Sequence, residues 1–488
     1  MSSYDLLIIG GGVNGAGIAR DAAGRGLSVI LAEKDDLASA TSSWSSKLIH
    51  GGLRYLEQYE FRLVAEALAE REVLLATARH LVWPARFVMP HVPELRPRWM
   101  IRAGLFLYDH LARRTSLPGS GAVRLDAPPY NAGLNAGCTH GFVYSDCRVD
   151  DARLVVANAI AARELGAEIL TRTECVSAAR EAGGWRALLR GAGGEREVRA
   201  KAVVNAAGPW VKRVLNQRLG QPSRDSVRLV KGSHIVVPRL YEGEHAFILQ
   251  NDDRRVVFMI PYEGAYTLVG TTDIPQPEDT PPSASDEEVE YLCRAVNRYL
   301  AKPVAAVDVV WRYAGVRPLY DDGSDDPSAI TRDYTLRVDD EARQAPVLSV
   351  FGGKITTFRR LAEHAMEKLA PFFPGLKPAW TARACLPGSD FGDAGRSRAR
   401  DAFFARFPAI ERETLRGIFR RHGACAEEVV GDGDLGEHYG AGLHERELRY
   451  LAAREWALSA EDVLWRRTKC GLHMNAAQRE RVARALGA

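Results

Sequence analysis

Gly10-x-Gly12-x-x-Gly15 follows directly on the apolar run Leu6-Leu-Ile-Ile9 and opens into a helix-like stretch from Ala16, the spacing that seats an adenine dinucleotide. Gly10 permits the tight strand-to-helix turn, Gly12 lets the backbone approach a pyrophosphate, and Gly15 allows close packing of helix on strand. Asn14 lies inside the same turn, and the helix N-terminus offers unpaired N–H groups to the anion. A second apolar strand, Ser28 to Ala32, ends at Glu33, where a carboxylate can accept ribose hydroxyls.

The elements that must position this seat are legible along the chain. After the opening βαβ unit, Ala40 to Ser46 is a run of hydroxyls that reads as a loop or a set of competing caps. A helix is expected from Phe61 to about His80, stopped by Pro84. A second runs from Asp150 to Gly166, with an acidic first turn and a glycine stop. Strands follow at Ala167–Thr171 and Ala202–Gly208, the latter entering a Pro209-Trp210 turn. Between about Val227 and Val338 short alternating runs predict an antiparallel sheet beside the nucleotide domain. Leu348–Phe351 then breaks at Gly352-Gly353 before a helical stretch, repeating late in the chain the strand-glycine-helix geometry that seats anions.

The expected boundaries are a discontinuous unit over 1–385 and a helical cap over 386–488. The cofactor part takes in about 1–90, 140–225 and 339–385; the substrate sheet takes in about 91–139 and 226–338. Within the cap, Ser459-Ala-Glu-Asp462 and Asn475-Ala-Ala-Gln478 have the form of capping boxes. Trp465-Arg-Arg-Thr-Lys469 reads as a solvated helix face, with a basic contact surface as the alternative.

At 488 residues the chain needs two or three domains, and its net charge of +3 gives no reason to expect nucleic acid. The seven cysteines are scattered without the close pairing of a zinc or dithiol site, so buried free thiols are expected and no metal. The first strand begins within five residues of Met1, which argues against a signal peptide and for a reducing cytoplasm. No stretch has the eighteen or so apolar residues that cross a bilayer. Pro97 to Arg114 surrounds Trp99, Met100, Ile101, Leu105, Phe106, Leu107 and Leu111 with arginines. That mix suits a helix lying in a bilayer interface, or a core helix with snorkelling arginines at its ends.

Ser45-Ser-Lys-Leu-Ile-His-Gly-Gly-Leu-Arg-Tyr55 resembles the flavin-proximal segment of the FAD-dependent glycerol-3-phosphate dehydrogenases. Phe61-Arg-Leu-Val, Ala69-Glu-Arg-Glu72, Lys231-Gly-Ser-His-Ile-Val-Val-Pro238, Gly270-Thr-Thr-Asp273, Gly315-Val-Arg-Pro318, Ile330-Thr-Arg-Asp-Tyr334 and Phe351-Gly-Gly-Lys-Ile-Thr-Thr357 continue the likeness, which reaches Trp465–Lys469. The match is to the aerobic, membrane-associated bacterial form. It implies oxidation of sn-glycerol 3-phosphate to dihydroxyacetone phosphate, with electrons passing through FAD to a quinone. It also implies an α/β fold: a Rossmann-like, glutathione-reductase-like FAD domain of the D-amino-acid oxidase type, an antiparallel-sheet substrate region and an all-helical C-terminal cap. A peripheral place on the cytoplasmic face of the inner membrane, and a homodimer, follow from the same likeness. A glycerol-3-phosphate oxidase using O2 and a non-catalytic, membrane-surface flavoprotein are the competing readings.

Oxidising a secondary alcohol needs a hydride acceptor, a base, and fixed positive charge where the substrate carries phosphate. For the phosphate the candidates are Arg54, Arg317 and Arg332, since a guanidinium can give two parallel hydrogen bonds to phosphate oxygens, with Tyr55 and Thr271 as neutral donors. The candidate bases are His50 and His234, with Lys354 as a third group that could polarise the hydroxyl or hold charge near the flavin. The sequence does not choose among them. Gly352, Gly353 and the following helix, with Thr356 in its first turn, are expected to stabilise negative charge over the flavin N1–C2=O edge. Thr41, Ser42, Ser46, Lys47, Leu48 and Gly208 complete the expected cofactor contacts, and Val176 presents backbone to the adenine.

Overall fold

The computed structural model describes residues 2–487 apart from 93–95, 114, 224, 254, 279, 322–332 and 341–344. Its first sheet is mainly parallel, in the order Thr335–Asp339, Val347–Phe351, Gly194–Asn205, Ser2–Ile9, Val29–Ala32, Glu168–Leu170. Leu6 to Ile9 and Val29 to Ala32 are buried without alternation, which is why they read as continuous apolar runs. One face is covered by the helices Val13–Gly24, Asp151–Glu164 and Phe358–Leu369. The other face meets an antiparallel hairpin, Glu174–Glu181 with Gly184–Gly191, which extends Gly194–Asn205.

The second sheet runs Ile274–Pro275, Val227–Pro238, Tyr266–Gly270, Val256–Tyr262, Ala246–Gln250, Val82–Pro90, His140–Val149, Leu48–Ile49. Trp311–Tyr320 pairs with Val227–Pro238 in a ten-residue register that sets Arg317 opposite Val230 and Gly315 opposite Gly232. Val82–Pro90 and His140–Val149, grouped by sequence with the cofactor part, pair with each other in this second sheet. Beneath it lies the helix Asp286–Asn297, whose Ser285/Glu288 capping box the sequence reading passed over.

From Gly395 the chain forms the helices Gly395–Arg406, Arg412–His422, Glu445–Glu455 and Ala476–Ala485 around two apolar clusters of their own. Asn475 and Gln478 form the expected reciprocal cap. The expectation of a solvated face at Trp465–Lys469 is overturned: Arg466, Arg467 and Lys469 are all buried. Arg467 donates to both oxygens of Asp36 at 2.7 Å, Arg466 Nε to Asp36 Oδ2 at 2.7 Å, and Lys469 Nζ approaches Asp150 at 3.4 Å. Arg153 forks onto Glu455 from the other side. Each cation tolerates burial because a carboxylate faces it.

The helix Arg98–His110 buries Ile101, Leu105 and Tyr108 and leaves Trp99 70% and Phe106 57% exposed, so it has an outward apolar face instead of being a core helix. All seven cysteines are free thiols. Among the described residues no helix is long and apolar enough to cross a membrane, and no cluster of side chains could hold a metal ion.

Candidate active site

Between the two sheets runs one continuous cavity of about 330 Å³, lined from Glu33, Glu174 and Cys175 at one end to His50, Tyr55, His234, Arg317 and Lys354 at the other. Gly10, Gly12, Val13 and Asn14 form its floor. The turn there demands glycine: Gly10 has φ +111°, and a Cβ on it would stand 2.5 Å from the Ala206 carbonyl oxygen. Gly12, at the N-cap of Val13–Gly24, offers no capping side chain, so the first turn opens on the cavity, with Val13 N–H held by Ser42 Oγ at 3.0 Å. Glu33 accepts from Gly11 N–H at 2.6 Å and Asp35 N–H at 2.8 Å. Burial raises its pKa, opposed by those two N–H bonds.

A second uncapped helix start faces the other end. Gly352 and Gly353 take φ of +76° and +100°, and the turn Ile355–Thr357 with the helix Phe358–Leu369 has no side-chain cap. Asn14 joins the two glycine turns by donating Nδ2–H to Gly352 O at 3.3 Å, while its buried Oδ1 has no partner among the described residues. Thr356 Oγ1 bonds the backbone of His50, accepting from N–H at 3.2 Å and donating to O at 3.3 Å. A long ligand with an anionic middle fits this pair of uncapped turns.

At the end of the cavity away from Glu33, His234 is 2% exposed, with Nε2 at 2.9 Å from Ser46 Oγ and its ring stacked on Tyr313 at 4.8 Å. Burial, then the charges of Arg317 and Lys47, push its pKa well below 6.5, so it is a neutral imidazole at pH 7. Arg317 pairs with Asp273 through Nη1 and donates from Nη2 to Thr271 Oγ1 at 3.0 Å. Lys354 Nζ lies 3.7 Å from the centre of the Tyr55 ring.

Of the residues singled out by sequence, Gly10, Gly12, Asn14, Glu33, Thr41, Ser42, Ser46, Leu48, His50, Tyr55, Gly208, His234, Arg317, Gly352, Gly353, Lys354 and Thr356 all line the cavity. Thr271 is tied to it through Arg317, and Gly15 packs beneath Gly10. Lys47 is turned away: its three ammonium hydrogens are taken by both Asp151 oxygens, at 2.9 and 3.0 Å, and by Ser43 O at 2.9 Å, which leaves none for a pyrophosphate at the cavity wall. Val176 also stands off the lining, its carbonyl accepting from Arg218, while Glu174 and Cys175 occupy the place expected of it. Arg54 is half-buried just outside the lining, and Arg332 lies outside the described residues. Trp44, Ser45 and Gly232 also line the cavity; they stand inside segments the sequence marked, but none was singled out as a site residue.

The glycine-rich turn and the cavity between two sheets define a dinucleotide-binding protein. The family model described as FAD dependent oxidoreductase matches residues 5–340. Glycerol-3-phosphate dehydrogenase of Pseudomonas aeruginosa is 55% identical, the alignment covering 99% of this chain and 95% of that protein. D-erythritol 1-phosphate dehydrogenase of Brucella abortus is 52% identical over 97% of this chain and 96% of its own. The structure of the glycerol-3-phosphate dehydrogenase from Bacillus halodurans complexed with FAD superposes with a TM-score of 0.75 at 25% identity, covering 99% of this chain and 94% of that one. The chain belongs to the FAD-dependent glycerol-3-phosphate dehydrogenase family, and FAD is its cofactor.

Proposed function

We propose that the protein oxidises sn-glycerol 3-phosphate to dihydroxyacetone phosphate and passes the electrons to a membrane quinone. The observation that carries this reading is the juxtaposition, at the end of the dinucleotide cavity, of the Arg317–Thr271 pair with the neutral His234. FAD, when bound, supplies the two-electron acceptor. Arg317 holds the substrate phosphate by charge-assisted hydrogen bonds, with Arg54, Arg332, Thr271 and Tyr55 as further donors. His234, kept neutral, takes the proton of the secondary hydroxyl, and His50 and Lys354 border the same space. The uncapped turn at Gly353–Thr356 provides positive potential at the cofactor's far end.

Anaerobic mixing with sn-glycerol 3-phosphate tests the reading: the flavin band near roughly 450 nm, a property of the cofactor, must bleach. Absence of bleaching refutes it. Running D-erythritol 1-phosphate beside it decides chain length, because the Brucella relative bearing that name is nearly as similar as the Pseudomonas one. Faster bleaching by the four-carbon substrate would replace the three-carbon one in this proposal.

Membrane contact, on the cytoplasmic face, falls to the helix Arg98–His110, whose exposed Trp99, Met100, Phe106 and Leu107 stand among Arg98 and Arg102. Replacing Trp99 and Phe106 by serine must abolish co-sedimentation with anionic vesicles and quinone reduction while leaving dye-linked turnover intact. Stoichiometric peroxide at full rate without membranes would instead make the protein an oxidase.

A further inference from the structure

Asp151 is completely buried at the start of the helix Asp151–Glu164 and gathers an unusual number of donors. Its Oδ2 accepts from Ser45 Oγ at 2.7 Å and Ser45 N–H at 3.3 Å, and Lys47 Nζ bonds both oxygens at 2.9 and 3.0 Å. Its own helix contributes Ala152 N–H at 2.9 Å. The turn so gripped is strained, because Lys47 takes φ +57°, a region non-glycine residues rarely enter. Ser45 Oγ also accepts from Lys47 N–H at 2.9 Å, closing the turn on itself.

Ser46 sits between the two anchored residues and turns the other way, its Oγ against His234 Nε2. Tyr313 completes the ring of contacts: its hydroxyl donates to Ser45 O at 2.8 Å, its face stacks on His234, and Lys47 Nζ lies 5.3 Å from its centre. Neither Asp151 nor Lys47 lines the cavity, but both bond Ser45, the chain neighbour of Ser46, and the Ser45 carbonyl accepts from Tyr313; Ser46 and Tyr313 are the residues that touch His234.

We propose that Asp151 is a positioning residue for the reaction: through Ser45 and Lys47 it fixes the turn that sets Ser46 against His234, and so fixes the imidazole. The proposal rests on the reading that His234 serves the oxidation of a phosphorylated polyol. A salt bridge that served only stability would need the Lys47 charge matched and nothing more. A positioning carboxylate must in addition accept from Ser45 in this place.

The two are separated by measuring the anaerobic bleaching rate and the melting temperature on FAD-loaded variants. S45A keeps the ion pair and loses the Ser45 hydroxyl bond; its bleaching rate falls about tenfold, with melting temperature, FAD content and the substrate KM near those of the wild type. The double variant K47M/D151L removes both charges, recovers the melting temperature lost in D151N, and still bleaches at least about tenfold slowly. K47M/D151N restores most of the rate, because the asparagine oxygen can accept from Ser45. Wild-type bleaching by S45A, or recovery of both rate and melting temperature in K47M/D151L, overturns the role of Asp151. A wild type that fails to bleach overturns the functional reading itself, and the proposal with it.

Discussion

Gly232 leaves room for the Arg317 guanidinium, and replacing it by alanine tests the phosphate site without touching a charge. A Cβ at position 232 would collide with Arg317 Nη2 and stand 2.9 Å from Arg317 Cζ and 2.5 Å from Thr271 Oγ1. Its backbone is ordinary strand, so no φ strain accompanies the change, and the nearest neighbours are side-chain ends that can swing aside. The guanidinium therefore moves by about one ångström, enough to spoil a directional bond to phosphate, since hydrogen bonds weaken steeply with misalignment. A charge-assisted bond contributes about 1.5–3 kcal/mol, which sets the ceiling at roughly ten- to hundredfold in KM for glycerol 3-phosphate. G232A is expected near the lower figure, about tenfold, with FAD content and kcat little changed. Steady-state kinetics with a dye acceptor, run in a cycle with R317A, provides the assay. If the methyl group acts through Arg317, G232A adds nothing once Arg317 is alanine. An unchanged KM in G232A, or an equal rise in the R317A background, would refute the reasoning.

Other consequences follow from the same geometry. G10A, which places a Cβ 2.5 Å from Ala206 O at φ +111°, is expected to yield protein with little bound FAD, read from the ratio of flavin to protein absorbance. R467A removes the bidentate partner of the buried Asp36 and leaves it only the Arg466 Nε bond, so a loss of about 1.5–3 kcal/mol is expected in urea unfolding; a loss below about 0.5 kcal/mol, under the range for a charged hydrogen bond, would show that the cap is not clasped through this pair. Stability must fall as pH drops below about 6.5. Burial pushes His80 and His234 well below 6.5 and His245 to about 4, so their unfolded imidazoles bind protons that the folded ones refuse. Each fully resisting group contributes up to about 1.4 kcal/mol per pH unit there, and H80Q should flatten the slope of melting temperature between pH 7 and 5. A second loss follows below about 4.5, where Glu447 protonates on unfolding: burial opposes its ionisation, but Arg421 and His422 outweigh that and hold it at about 2.

The seat for the dinucleotide was written in the sequence, because Gly10, Gly12 and Gly15 meet local demands of one turn and Glu33 follows at the end of the next strand. Short, consecutive elements of this kind put their requirements into neighbouring residues, and the same holds for Gly352-Gly353 and the helix after it. Pairings distant in the chain left no such mark. Gly232 gives way to a guanidinium across the sheet register with Trp311–Tyr320, a contact set by the alignment of two strands about 85 residues apart. Lys47 looked like a phosphate ligand beside Ser46, and only the arrival of Asp151 from another helix turned its ammonium inward. Arg466, Arg467 and Lys469 have the composition of a wet helix face, yet Asp36 and Asp150, both more than 300 residues earlier in the chain, meet them. Charge and hydrogen-bond partners are chosen in three dimensions, where an ion settles its desolvation with whichever counter-ion the fold brings near. The glycine turns at Gly10–Gly15 and Gly352-Gly353 are chosen by neighbouring residues, and these the sequence alone determined.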